Sequence, residues 1–90
     1  MKTIHKYPLV PNRTTKLNVS KDFTILCFRI QNEIPCIWYI TNPDAKDRVE
    51  IKFTVVGTGW ALDEGLDLKY IGTDFSEGSF VWHCFQIVEG

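Results

Sequence analysis

The sequence predicts an all-β domain, a small antiparallel sandwich or strongly bent sheet of about six or seven strands. Two observations carry this. Phe23–Gln31, Ile34–Thr41, Arg48–Val56 and Phe80–Val88 alternate or saturate with β-branched and aromatic residues, which suit a pleated, half-buried surface. Turn-forming residues punctuate nearly everything between them.

Thr3–Val10 opens with alternation and closes on Pro8 and Pro11. Proline cannot donate a ladder hydrogen bond, so an edge strand or one entering a bend is expected. Thr14–Ser20 sets Leu17 and Val19 against Lys16 and Asn18, a short half-exposed strand, and Ser20-Lys21-Asp22 turns the chain. The next two runs read as a hairpin around Asn32-Glu33. With Ile30 opposite Pro35, Phe28 faces Ile37, Cys27 faces Trp38 and Ile25 faces Ile40. One side then carries Phe23, Ile25, Cys27, Cys36, Trp38 and Ile40, the other Leu26, Phe28, Ile30, Ile37 and Tyr39. Both sides are apolar, so these strands should be covered twice, by a second sheet or by another subunit. Cys27 and Cys36 become diagonal neighbours, about 7–8 Å apart, too far to bridge without backbone movement. Free thiols are expected.

Residues 42–47 form a polar turn. Arg48–Val56 points Val49, Ile51, Phe53 and Val55 inward and Arg48, Glu50, Lys52 and Thr54 outward. Gly57–Asp67 is the longest irregular stretch, with at most one helical turn over residues 61–64. Leu68–Thr73 is a short strand, Ser76-Glu77-Gly78-Ser79 the last hairpin turn, and Phe80–Val88 is again apolar on both faces. The sequence ends two residues later, and no recruiting tail is expected.

Ninety residues predict one domain over 1–90, burying roughly 60–65% of the surface its unfolded chain exposes. The 44% hydrophobic and 13% aromatic content argues for a folded chain. A net charge of −1 recommends neither DNA nor an anionic membrane. The charge is uneven, however. Residues 1–29 hold Lys2, Lys6, Arg13, Lys16, Lys21 and Arg29 against Asp22, and residues 61–90 hold Lys69 against Asp63, Glu64, Asp67, Asp74, Glu77 and Glu89. Either neighbouring strands mix these charges, or a basic face awaits an anionic ligand or a head-to-tail contact between copies. Three cysteines make no disulfide framework, and no secretory signal or membrane span is present, so a reduced cytoplasmic setting is expected.

Gly57-Thr58-Gly59-Trp60 follows a strand, where phosphate loops begin. The dinucleotide fingerprint would need glycine at Leu62, and the Gly-Lys-Ser/Thr of a P-loop is missing. What remains is a loop whose glycines admit a close backbone approach, beside a tryptophan that is either an exposed contact or a cap on the core. His83 and Cys84 are adjacent on a strand and point to opposite faces, so they make no nucleophile–base pair. No paired Cys or His ligands suggest zinc, and Asp63, Glu64 and Asp67 miss the calcium-loop pattern. No metal and no cofactor is expected, nor is an enzyme, since no catalytic pair assembles on one strand face. Trp38 and Trp82 suit core packing or a subunit interface. Arg29, a charge amid Cys27, Phe28 and Ile30, either snorkels or clamps an anion with Lys6.

Met1–Tyr7 with Pro8-Leu9, Gln31 with Pro35 and Trp38, Gly57-Thr58-Gly59, Tyr70-Ile71-Gly72-Thr73, and Val81-Trp82-His83 with Phe85 resemble a family of small uncharacterised proteins from bacteriophage genomes. Relatives often carry glycine in the first hairpin turn, where this chain reads Asn32-Glu33. The resemblance implies a viral origin and no mechanism. Phage accessory proteins of this size often antagonise bacterial immunity. The expected function is therefore non-enzymatic binding in the cytoplasm of an infected host, by a homo-oligomer that sequesters a cyclic-nucleotide or cyclic-ADP-ribose-type signal. The expected ligand-binding residues are Lys6, Arg29, Gly57, Thr58, Gly59 and Trp60. The alternatives are an inhibitor that binds a host defence protein and a minor virion or assembly component.

Overall fold

A computed structural model describes residues 1–88; Glu89, counted among the acids above, lies outside the described residues. Seven strands form, β1 (Thr3–Pro8), β2 (Thr14–Ser20), β3 (Thr24–Gln31), β4 (Ile34–Thr41), β5 (Arg48–Gly57), β6 (Asp67–Phe75) and β7 (Val81–Val88). They make two antiparallel sheets, a three-stranded one ordered β1-β4-β3 and a four-stranded one ordered β2-β5-β7-β6. Among the described residues no helix forms. The turn expected over residues 61–64 is irregular chain followed by a turn at Glu64 and Gly65. Nothing among the described residues is a helix long and apolar enough to cross a membrane.

The inward positions of the two sheets meet in one apolar layer. Val19, Ile37, Phe53, Val55 and Cys84 are at most 1% exposed, and Phe28, Leu17, Tyr39 and Ile51 close the layer around them. Arg48–Gly57 shows the alternation read from its sequence, with Ile51, Phe53 and Val55 buried and Glu50 exposed. Across its thinnest direction the molecule measures 15 Å, room for two sheets about 10 Å apart and no third layer.

Two polar stitches hold the sheets in register. Ser20, ending β2, and Thr41, ending β4, are buried together. Ser20 donates its backbone N–H to Thr41 Oγ1 at 2.9 Å, and Asn42 donates its N–H to Ser20 Oγ at 2.8 Å. At the opposite seam, β3 lies beside β6, and Asp74 Oδ2 accepts the Ile30 N–H at 2.8 Å. That carboxylate occupies a donor on the β3 edge that no strand pairs.

The first hairpin has the expected register from Ile30–Pro35 through Cys27–Trp38, and then departs from it. A bulge at Leu26 sets Ile25 opposite Tyr39 rather than Ile40. One extra residue reverses every side chain beyond it. Ile25 therefore packs on the core, and Leu26, expected on the same side as Phe28 and Ile37, is 45% exposed. A matching bulge at Ile71 brings Gly72 against Phe28, with Phe28 Cβ 3.6 Å from where a Gly72 Cβ would stand. Asn32 and Glu33 both take positive φ, 50° and 65°, the geometry of a two-residue hairpin turn that prefers glycine. Glu33 Oε1 accepts the Glu77 N–H at 3.0 Å, tying this turn to the β6–β7 turn.

The expectation of double coverage fails within one chain. The inner face of β4 meets the second sheet, whereas Cys36, Trp38 and Ile40 face outward where no other strand among the described residues overlies them, Cys36 buried among its neighbours and the other two half-buried. All three cysteines are free thiols.

Phe53 is wholly enclosed at the centre of the layer, so Phe53→Ala should cost roughly 3–5 kcal/mol in denaturant unfolding. Asp74 should make stability acid-sensitive. The Ile30 and Phe75 amides bonded to it hold its carboxyl below the usual range. Its contribution is thus fully present above about pH 4 and is lost as pH falls through the depressed value. Asp74→Asn keeps the shape without the charge. It should be less stable than the natural chain near neutral pH and converge with it in acid, as urea titrations across pH would read.

Candidate functional site

Gly57–Trp60 is a β-turn closed by the Trp60 N–H on the Gly57 carbonyl at 3.1 Å. Gly59 has φ +89° at the third position, which type II turns reserve for glycine. Gly57 is required for a different reason. A Cβ there would stand 2.9 Å from Trp60 Cδ1 and 3.2 Å from Trp82 Cζ3. The glycines thus seat an indole, and no phosphate cradle is built. Trp60 rests one edge on the end of β5 and leaves 60% of its surface exposed.

From this turn the chain runs back over the outer face of the four-stranded sheet. Leu66 and Gly65 lie beside Ile87, the one outward residue of β7 that is buried. Trp60 and Leu62 form a ridge with a hollow on each side. The first, about 330 Å³, is walled by Trp60, Arg13, Asn12, Thr14 and Asp63 above Val56 and Leu68. The second, about 270 Å³, is bounded by Thr58, Gly59, Trp60, Leu62, His83 and Phe85. Both approach the size of small-ligand sites, apolar with a few convergent polar groups.

A chain of side-chain hydrogen bonds leads out of the second hollow. Thr58 Oγ1 lies 2.7 Å from His83 Nε2, His83 Nδ1 2.9 Å from Thr73 Oγ1, and Thr73 Oγ1 2.7 Å from Tyr70 Oη. Tyr70 packs edge-on against Phe85, ring centroids 5.8 Å apart. A neutral imidazole donates at one nitrogen and accepts at the other, so the two threonine hydroxyls satisfy both. His83 is thus a strand histidine with both ring nitrogens partnered, and Cys84 points the other way into the core. No catalytic pair is expected on one strand face, and this contact joins a loop residue to a strand residue instead. The loop folds Thr58 onto His83, a pairing that strand periodicity cannot show. The third member is a neutral threonine rather than the carboxylate that would orient the imidazole and stabilise its charged form in a catalytic triad.

Lys6 and Arg29 are elsewhere. Both point outward from the three-stranded sheet, on either side of Trp38 and Cys36. Lys6 Nζ donates to Gln31 Oε1 at 2.7 Å. One chain therefore joins Gly57, Thr58, Gly59 and Trp60 in a single site and leaves Lys6 and Arg29 on the opposite face. Beside Trp60 the loop meets Arg13, and beside Gly65 and Leu66 it meets Lys16 and Lys52, all but Lys52 counted in the sequence only as part of a basic stretch. Among the described residues no three His, Cys, Asp or Glu side chains converge as metal ligands would. Burial pushes the Cys84 thiol up to about 12 and also raises Cys36.

A family model described as a domain of unknown function, DUF7352, matches residues 1–89. No curated protein and no solved structure matches the chain.

Gly57→Ala tests the seat of the indole. The added methyl should push Trp60 off β5 while the sheets stay intact, giving changed tryptophan emission and near-UV dichroism with unaltered far-UV dichroism.

Proposed function

The chain belongs to the DUF7352 family, and from that premise we propose that it is a non-enzymatic binding protein whose ligand seats on the Trp60 loop. In its biological setting we take it to be a bacteriophage antagonist of host antiviral defence. It acts in the infected cytoplasm by sequestering a nucleotide-derived signal of the cyclic-nucleotide or cyclic-ADP-ribose type. One observation carries this reading. An indole 60% exposed is fixed between a hollow with a guanidinium, Arg13, and a hollow with hydroxyl and imidazole groups, Thr58 and His83. Tryptophan offers a stacking face for a base, arginine a fork for phosphate, and the threonine–histidine chain hydrogen bonds for a base edge. Sequestration rather than turnover is favoured by the neutral partner behind His83 and by cysteines sunk on other faces with raised pKa values.

A thermal-shift screen with cyclic nucleotides and cyclic ADP-ribose isomers tests the proposal. A true ligand at a hundredfold excess over Kd should stabilise the fold by about 2.7 kcal/mol. Heat denaturation should return it chemically unaltered; a cleaved product would assign Thr58 and His83 a catalytic task. Trp60→Ala should abolish the shift and change the stability of the unliganded protein by no more than about 0.5–1 kcal/mol. A second reading, direct inhibition of a host defence protein, is favoured by the exposed Tyr70 and Phe75 on the same face, 58% and 68% accessible. It predicts a co-purifying host protein and no nucleotide effect.

A further inference from the structure

Two faces of this sandwich lack cover, and they differ in chemistry. The outer face of the three-stranded sheet presents Ile4, 61% exposed, with Trp38 and Ile40 half-buried beside it. Its outward positions include Lys6 and Arg29 and no carboxylate. Lys2 and Asp22 pair at its rim, 3.3 Å apart. The opposite outer face, over β6 and β7, presents Tyr70, Phe75, Val81 and Phe85, with no charged side chain among its outward positions between Asp67 and Glu77. Asp63 and Glu64 on the loop, Asp67 at the start of β6 and Glu77 at the hairpin tip border it, all exposed. Both signs occur over β2 and β5, where Lys16 stands opposite Lys52 and Glu50 opposite Asn18. Over β6 and β7 they do not.

An apolar face with cations at its centre complements an aromatic face with carboxylates at the loop and at the hairpin tip, the cations of that sheet lying toward β2 and β5. We infer that copies stack head to tail, the three-stranded sheet of one seated on the loop-bearing face of the next, and that this contact completes the binding site. It would carry Lys6 and Arg29 of one copy to Thr58, Trp60 and His83 of its neighbour, the groups that a single chain holds on opposite faces. The inference rests on the proposed binding site for its purpose, not for its geometry. Because two different surfaces meet, the contact is heterologous and builds a ring or a filament rather than a closed two-fold pair.

The test reads mass by light scattering without any ligand. The natural chain should exceed monomer mass, increasingly with concentration, and fall back as ionic strength rises. Ile4→Glu with Lys6→Glu spoils one face, and Tyr70→Ser with Phe75→Ser spoils the other. All four positions are exposed, and far-UV dichroism checks that each variant folds. Each variant alone should be monomeric. Mixed, they should form a dimer and stop, since each keeps one intact face. Carbodiimide treatment of mixed isotope-labelled copies should join Lys6 of one copy to a loop carboxylate of another. A monomeric natural chain, a variant that still assembles alone, or a mixture that stays monomeric overturns the stacking. Nucleotide binding by a monomer would sink this inference and leave the proposed function standing, and a stack that binds no nucleotide would do the reverse.

Discussion

The structure depends on a single apolar layer two sheets deep. Val19, Ile37, Phe53, Val55 and Cys84 fill it with almost no exposure. Each sheet buries one face, and the other must be managed separately. The four-stranded sheet lends part of its outer face to the 58–66 loop, with Leu66 beside Ile87. The three-stranded sheet has no such covering, although Trp38 and Ile40 sit on it.

This division explains where binding groups accumulate. The loop begins at a turn whose glycines are set by backbone and indole geometry, and it ends in an Asx turn in which Asp63 accepts the Gly65 N–H at 2.9 Å. A short connection fixed at both ends holds its side chains in defined places over the sheet. Thr58, Trp60 and Leu62 consequently stand above His83, Phe85 and Arg13 without any helix to orient them.

Strand periodicity made most of the fold legible. Ile34–Thr41 and Thr14–Ser20 have the bounds read from the sequence, because alternation and flanking turn residues agree there. The misplaced half of the first hairpin follows from Leu26, whose bulge has no glycine to announce it. The seam of β3 with β6 was equally invisible, since a carboxylate rather than a strand pairs with the Ile30 amide. Of the site, the Gly57–Trp60 loop was legible from turn chemistry, whereas the choice between an exposed Trp60 and a cap on the core was not. Arg13 was not, for nothing local marks a turn residue as the neighbour of a loop some fifty positions later. Tyr70 and Thr73 escaped notice because each looks like ordinary strand filling until His83 links them.

Cys84 has a use outside any ligand question. Its sulfur is wholly enclosed between the sheets, and burial holds the thiol in its protonated, unreactive form. Alkylating or oxidising reagents reach it only when the sandwich parts. The molecule thus carries an internal clock for its own global opening, readable by mass spectrometry as the mass that such a reagent adds at Cys84.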